Sequence, residues 1–109
     1  MTLKEIIKKC SMLSTYGELQ ITDEYGELVF YNKEIDGWSK IFVDILGPPI
    51  KPAGIEPTKY DLHLTKDYGG IFGNQILFKK EFADVTVIAM FWPWQDNIHT
   101  TLKIVLFKK

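Results

Sequence analysis

At 109 residues the chain has room for one domain built around one hydrophobic core. Its 46% hydrophobic and 14% aromatic content belongs to a packed fold and argues against disorder. A net charge of −1 gives no field to draw it toward a membrane or a polyanion, and all 13 of its basic residues are lysines. Sequence-reading proteins favour arginine for bidentate contacts to phosphate and guanine, so the absence of arginine argues against nucleic-acid recognition. The single cysteine, Cys10, cannot form an internal disulfide, which points to a reducing, cytoplasmic setting. The first residues alternate charged and apolar groups and do not read as a secretory leader. No apolar run is long enough to span a bilayer.

Thr2 to Leu13 has helical spacing. Thr2 with Glu5 fits a capping box, and Leu3, Ile6, Ile7, Cys10 and Leu13 fall on one stripe. Cys10 lies on that stripe, where a thiol serves better as a small hydrophobe than as a nucleophile or ligand. The phrase Tyr-Gly-Glu-Leu then occurs twice, at Tyr16–Leu19 and Tyr25–Leu28. Each copy introduces a strand, Glu18 to Thr22 and Glu27 to Tyr31. Gly26 is expected to take a positive φ in the turn between them. Leu19 and Ile21 should share the buried face with Leu28 and Phe30. Asp36-Gly37 reads as a further turn before a third strand, Trp38 to Leu46, with Ile41, Val43 and Ile45 inward.

Gly47 to Pro57 holds four of the five prolines. This loop could be a recognition segment or a lid, but a stiff crossover between two halves of the fold is favoured. Thr58 to Tyr68 fits either period. Thr58 with Asp61 resembles a cap and Gly69-Gly70 a helix stop, which favours a short helix over a strand. Gln75 to Glu81 is a strand. Val85 to Trp92 is apolar on both parities, so it belongs inside a sheet, and it pairs with Ile98 to Phe107. Pro93 to Asn97 supplies the turn chemistry between them.

The sum is an α+β fold. An N-terminal amphipathic helix packs on a curved antiparallel sheet of five or six strands, with a possible second short helix near 58–68. In architecture this resembles cystatin-like rolls, an analogy of shape alone.

Signatures of chemistry are absent: no phosphate-binding loop, no zinc helix, no nucleophile elbow. His63 and His99 lack the companions a metal site needs, so neither a metal nor a cofactor is expected. The Lys-Lys pairs are balanced by an equal supply of carboxylates and read as solvated surface. The aromatic tip is the best functional lead. Trp92, Trp94 and Trp38 offer flat amphipathic surface, and Gln95, Asp96 and Asn97 place donors and acceptors beside it. The reading is a non-enzymatic interaction module using this tip and the proline-rich loop beside it, its partner a protein or a second copy of the chain, with a small ligand as the lesser option. The competing reading is a small enzyme with a pocket between sheet and helix. It would use His63 or His99 with Asp61 or Asp96 as a general acid–base pair.

Overall fold

A computed structural model describes residues 1–109. The elements run α1 (Leu3–Lys9), β1 (Gly17–Ile21), β2 (Tyr25–Tyr31), α2 (Ile35–Leu46), α3 (Lys59–Thr65), β3 (Ile76–Glu81), β4 (Val85–Pro93) and β5 (His99–Lys108). All five strands join one antiparallel sheet in the order β1-β2-β5-β4-β3. The class is α+β, and β3–β4–β5 form the meander that the alternating pattern implies.

Alternation along the strands sorts side chains onto two faces. One face takes Leu28 and Phe30 from β2, Leu102 and Ile104 from β5, Val87 and Phe91 from β4, and Phe78 from β3. Against it α1 lays Leu3 and Ile6, its C-cap lays Cys10, and α2 lays Trp38, Phe42 and Ile45. The other face takes Ile88 and Met90 from β4 and Val105 from β5, and residues 47–75 with α3 cover much of it. Ile71 and Tyr68 of that segment pack there.

The N-terminal cap forms as its residues imply, with Thr2 Oγ accepting from the Glu5 amide at 3.2 Å. The helix stops earlier than Leu13, because its last bonds tighten to an i to i−3 pattern (Cys10 to Ile7, Ser11 to Lys8, Leu13 to Cys10).

The largest correction concerns residues 38–46. The expected third strand is the helix α2. Ile41, Val43 and Ile45 fit period two, but Trp38, Phe42, Ile45 and Leu46 fit one helical face, and these four are the buried ones. Gly47, at φ 84°, ends the helix. Asp36-Gly37 is therefore the first turn of a helix, and Leu13 packs against Gly37, within 3.3 Å of where a Cβ would stand.

Two smaller corrections lie in the first hairpin. Gly26 is buried inside β2 and has no positive φ; Thr22 makes the turn, its amide donating to Tyr25 O at 2.8 Å. Leu19 and Ile21 are exposed, since β1 is an edge strand with a bulge between Glu18 and Gln20. Thr58 to Tyr68 is the short helix α3 followed by a 3-10 turn, closed by Gly69 in the left-handed region.

Candidate functional site

The β4–β5 turn is a fastened structure. Asp96 Oδ1 accepts from the amides of Ile98 (2.8 Å) and His99 (3.1 Å), and Trp94 N donates to His99 O at 2.8 Å. Asn97 carries the positive φ (60°) the reversal needs, a conformation asparagine tolerates. Asp96 Oδ2 lies 2.6 Å from His99 Nδ1. A carboxylate can only accept, so Nδ1 carries the hydrogen and the opposite ring nitrogen is free. The His99 contact, helped by the two amides, holds the Asp96 carboxyl down at about 2.

Around the His99 ring stand Tyr16 at 4.5 Å, Trp94 at 4.7 Å and Tyr31 at 5.3 Å between centroids. Tyr16 meets Tyr31 edge-on at 5.7 Å. The indole of Trp94 is anchored by Nε1 donating to Thr101 Oγ1 at 2.7 Å. The tip is also tied to the end of β2: Asn32 N donates to Ile98 O, and Thr100 Oγ1 donates to Asn32 Oδ1. Tyr16 is 55% exposed and Trp94 38%, with Gln95, Asp96 and Asn97 exposed beside them. The arrangement is a patch of packed aromatic rings bordered by amides and one firmly ionised carboxylate.

The sequence pointed to Trp94, Gln95, Asp96 and Asn97 at this tip, and the structure gathers them there. It puts the other two tryptophans elsewhere. Trp38 is fully buried in α2, stacked on Phe30 at 5.0 Å. Trp92 lies on the face covered by residues 47–75, with Lys103 Nζ 3.4 Å over its ring. Gly69 crosses it so closely that a Cβ would stand 2.3 Å from the indole. Burial holds the Lys103 ammonium below its ordinary value, with the Glu27 carboxylate opposing. Burial and then the Tyr25 hydroxyl's bond to Glu27 push the phenol of Tyr25 up. Tyr16 and Tyr31 were missed by sequence reasoning. The repeated phrase was a trace of Tyr16 alone: its first tyrosine joins His99, whereas its second, Tyr25, stacks on Tyr68 at 5.8 Å.

The two histidines are apart. His63 lines a cleft of about 440 Å³ between α3 and the β3–β5 strands, together with Tyr60, Asp67 and Lys79. Asp61 is not its partner. The Asp61 carboxylate accepts from the Thr58 amide at 2.9 Å, half of a complete capping box, and positions two apart on a helix face different ways. Of the four acid–base candidates, Asp96 and His99 meet, and they do so on the exposed tip, away from the cleft that His63 lines. No three His, Cys, Asp or Glu side chains converge as a metal-binding group. No helix is long and apolar enough to cross a membrane.

The proline-rich segment is a crossover bound to the sheet. Ile50 and Lys51 extend the β3 edge through Leu77, and the Lys51 side chain is buried with Nζ donating to the carbonyls of Pro52 (3.0 Å), Gly73 (3.1 Å) and Gln75 (2.5 Å). Burial draws that ammonium below its usual value, with Asp61 and Glu56 opposing. The crossover is thus anchored at β3, whereas the aromatics of the tip gather over β5 and β2.

Compared with protein-family models, with curated proteins and with solved structures, the chain matches none.

Proposed function

We propose that the protein is a non-catalytic interaction module that engages a protein partner, or a second copy of itself, through the patch of Tyr16, Tyr31, Trp94 and His99. One observation carries this reading: two large exposed aromatics, one of them anchored through its indole nitrogen, pack around a histidine that a carboxylate holds in turn. An anchor held in place before contact loses little side-chain freedom on binding. Aromatic residues at the centre of a contact surface dominate its energy. Gln95, Asp96 and Asn97 supply the polar rim.

The test is a capture experiment with the parent chain, repeated pairwise with the purified partner. Trp94→Ala and Tyr16→Ala should each weaken the complex by roughly thirtyfold, the effect of a hot-spot residue. His63→Ala should leave it unchanged. Sedimentation over a wide concentration range applies the same comparison to self-association. A complex or dimer indifferent to both aromatic truncations would remove the reading.

The 2.6 Å contact between Asp96 and His99 favours a second reading, in which the fixed imidazole acts as a general base. That reading requires an activity whose pH profile shows one histidine titration and which His99→Ala abolishes.

A further inference from the structure

We propose that the cleft between α1 and the far end of the sheet binds a single-chain amphiphilic anion, an acyl chain with a carboxylate head. The cleft measures about 740 Å³. It lies at the end of the β4–β5 pair opposite the aromatic tip. Its walls are Leu3 and Ile7 of α1, Ile21 at the end of β1, and Val85 and Leu106 from β4 and β5. Gly26 lies beneath two of these walls, Leu3 and Ile21. This glycine faces Ile21 and Ile104 from inside β2, in a conformation any residue could adopt. A glycine in a strand that needs no special φ marks a close approach. Here a Cβ would meet both methyls of Leu3 at 3.4 Å and Ile21 Cδ1 at 3.6 Å, ordinary packing distances, so the two side chains close over the strand at this point. Ile21 remains 44% exposed, with apolar surface turned to this space.

The rim sets the charge of the occupant. Lys4 and Lys8 stand one helical turn apart on α1, and neither joins an ion pair. The other rim charges are mostly spent. Lys108 pairs with Glu24 at 3.1 Å, and Asp84 pairs with the Met1 amino group at 3.4 Å. Asp23 is the one rim carboxylate without a cation. Two free lysines against one free carboxylate leave the α1 side of the mouth positive. Sugars and nucleotides would press hydroxyls onto aliphatic walls and lose their hydration. A hydrocarbon without a head group would ignore the lysines. An acyl carboxylate satisfies both parts.

The experiment titrates the intact protein with carboxyl-labelled octanoate, decanoate and dodecanoate, each below its micelle concentration, and follows the carboxyl resonance. Expected is saturable one-to-one binding that tightens by up to about fourfold per added methylene, the signature of chain burial. Ile21→Glu places a charge in the mouth at an exposed position that the fold tolerates, and it should abolish binding. Exchanging Lys4 and Lys8 together for glutamate should weaken binding several-fold while keeping the chain-length dependence. Trp94→Ala should change nothing, which separates this site from the aromatic patch. Affinity indifferent to chain length, binding that survives Ile21→Glu, or no saturable binding by the parent would each overturn the proposal. So would a dimer that buries this face and excludes the carboxylate.

Discussion

Helices α1 and α2 close one face of the sheet with apolar side chains and no side-chain hydrogen bond to it, whereas residues 47–75 close the other with apolar side chains and a set of lysine-to-carbonyl hydrogen bonds. The first interface holds Trp38, Phe42, Phe30, Phe78 and Phe91 in mutual contact, with no ion pair among them. The second has Lys51 donating to three carbonyls, Lys103 donating to Tyr68 O at 3.0 Å, and the Gln75 side chain accepting from Phe72 N at 2.9 Å. The difference follows from what a covering element brings with it. A helix satisfies its own backbone and needs only an apolar stripe. An irregular segment arrives with unpaired carbonyls, and any that are buried must find donors. A lysine has three donors and no acceptor, which is the complement of three carbonyls converging on Lys51.

The comparison is broken most severely from the helical side. Trp38→Ala should cost about 3–5 kcal/mol in denaturant unfolding, the range for removing a large buried aromatic. Trp38→Phe should cost far less, because Trp38 Nε1 is buried and donates to no protein group, so the indole hydrogen offers nothing to lose. A Trp38→Ala protein as stable as the parent would mean that α2 does not carry the core.

On the other face, Lys51→Met keeps most of the side-chain volume and removes only the donors. It should cost about 1–3 kcal/mol, because the buried carbonyl of Gln75 loses its donor, while Gly73 O keeps the Gly54 amide and Pro52 O the Ile55 amide. The loss should be local, with hydrogen exchange accelerating at Leu77 and in the crossover while α2 amides stay protected. Uniform acceleration across both faces would show that the two covers are one cooperative unit.

These two faces were not equally legible in the sequence. The apolar periods that place β3, β4 and β5 are local and could be read directly, as could the caps at Thr2/Glu5 and Thr58/Asp61. Residues 38–46 satisfied two periods at once, and only the sheet beneath them decides for the helix. Lys51 carried no local mark, since a lysine among prolines reads as loop surface until the carbonyls around it are known. At the candidate site, Trp94 to His99 are neighbours in the chain and their pairing follows from turn chemistry. Tyr16 and Tyr31 reach them only because β2 lies between β1 and β5, a strand order that short-range patterns do not encode.

A paired substitution sharpens the contrast at smaller scale. Gly69 and Gly70 both have positive φ, 97° and 78°. Gly70→Ala has open space for its methyl and should cost about 1 kcal/mol, the backbone penalty alone. Gly69→Ala pays the same penalty and drives a Cβ to 2.3 Å from the Trp92 ring, adding about 1–2 kcal/mol for overpacking. Adding Trp92→Leu should erase the excess at Gly69 and leave Gly70→Ala as it was. Equal costs for the two glycines would show that Trp92 moves aside freely and that this face is loosely packed.

The smallest effect belongs to the tip, which neither cover protects. Asp96 has its carboxyl lowered from an ordinary 3.8 to about 2, by His99 first and by the Ile98 and His99 amides after it. A depressed acid stabilises the fold above its unfolded value and loses that contribution as pH falls through its folded one. The stability it lends should therefore be present at neutral pH and fade between 3.8 and about 2, in low salt more visibly than in high. Carboxyl carbon shifts should report a midpoint for Asp96 near 2 in the parent, and a climb toward the ordinary value in His99→Phe, which keeps a ring and removes the donor. The two amide bonds would hold part of the depression, so an unchanged midpoint in that variant would assign the whole effect to the turn. The aromatic patch would then lose the carboxylate that fixes its central ring.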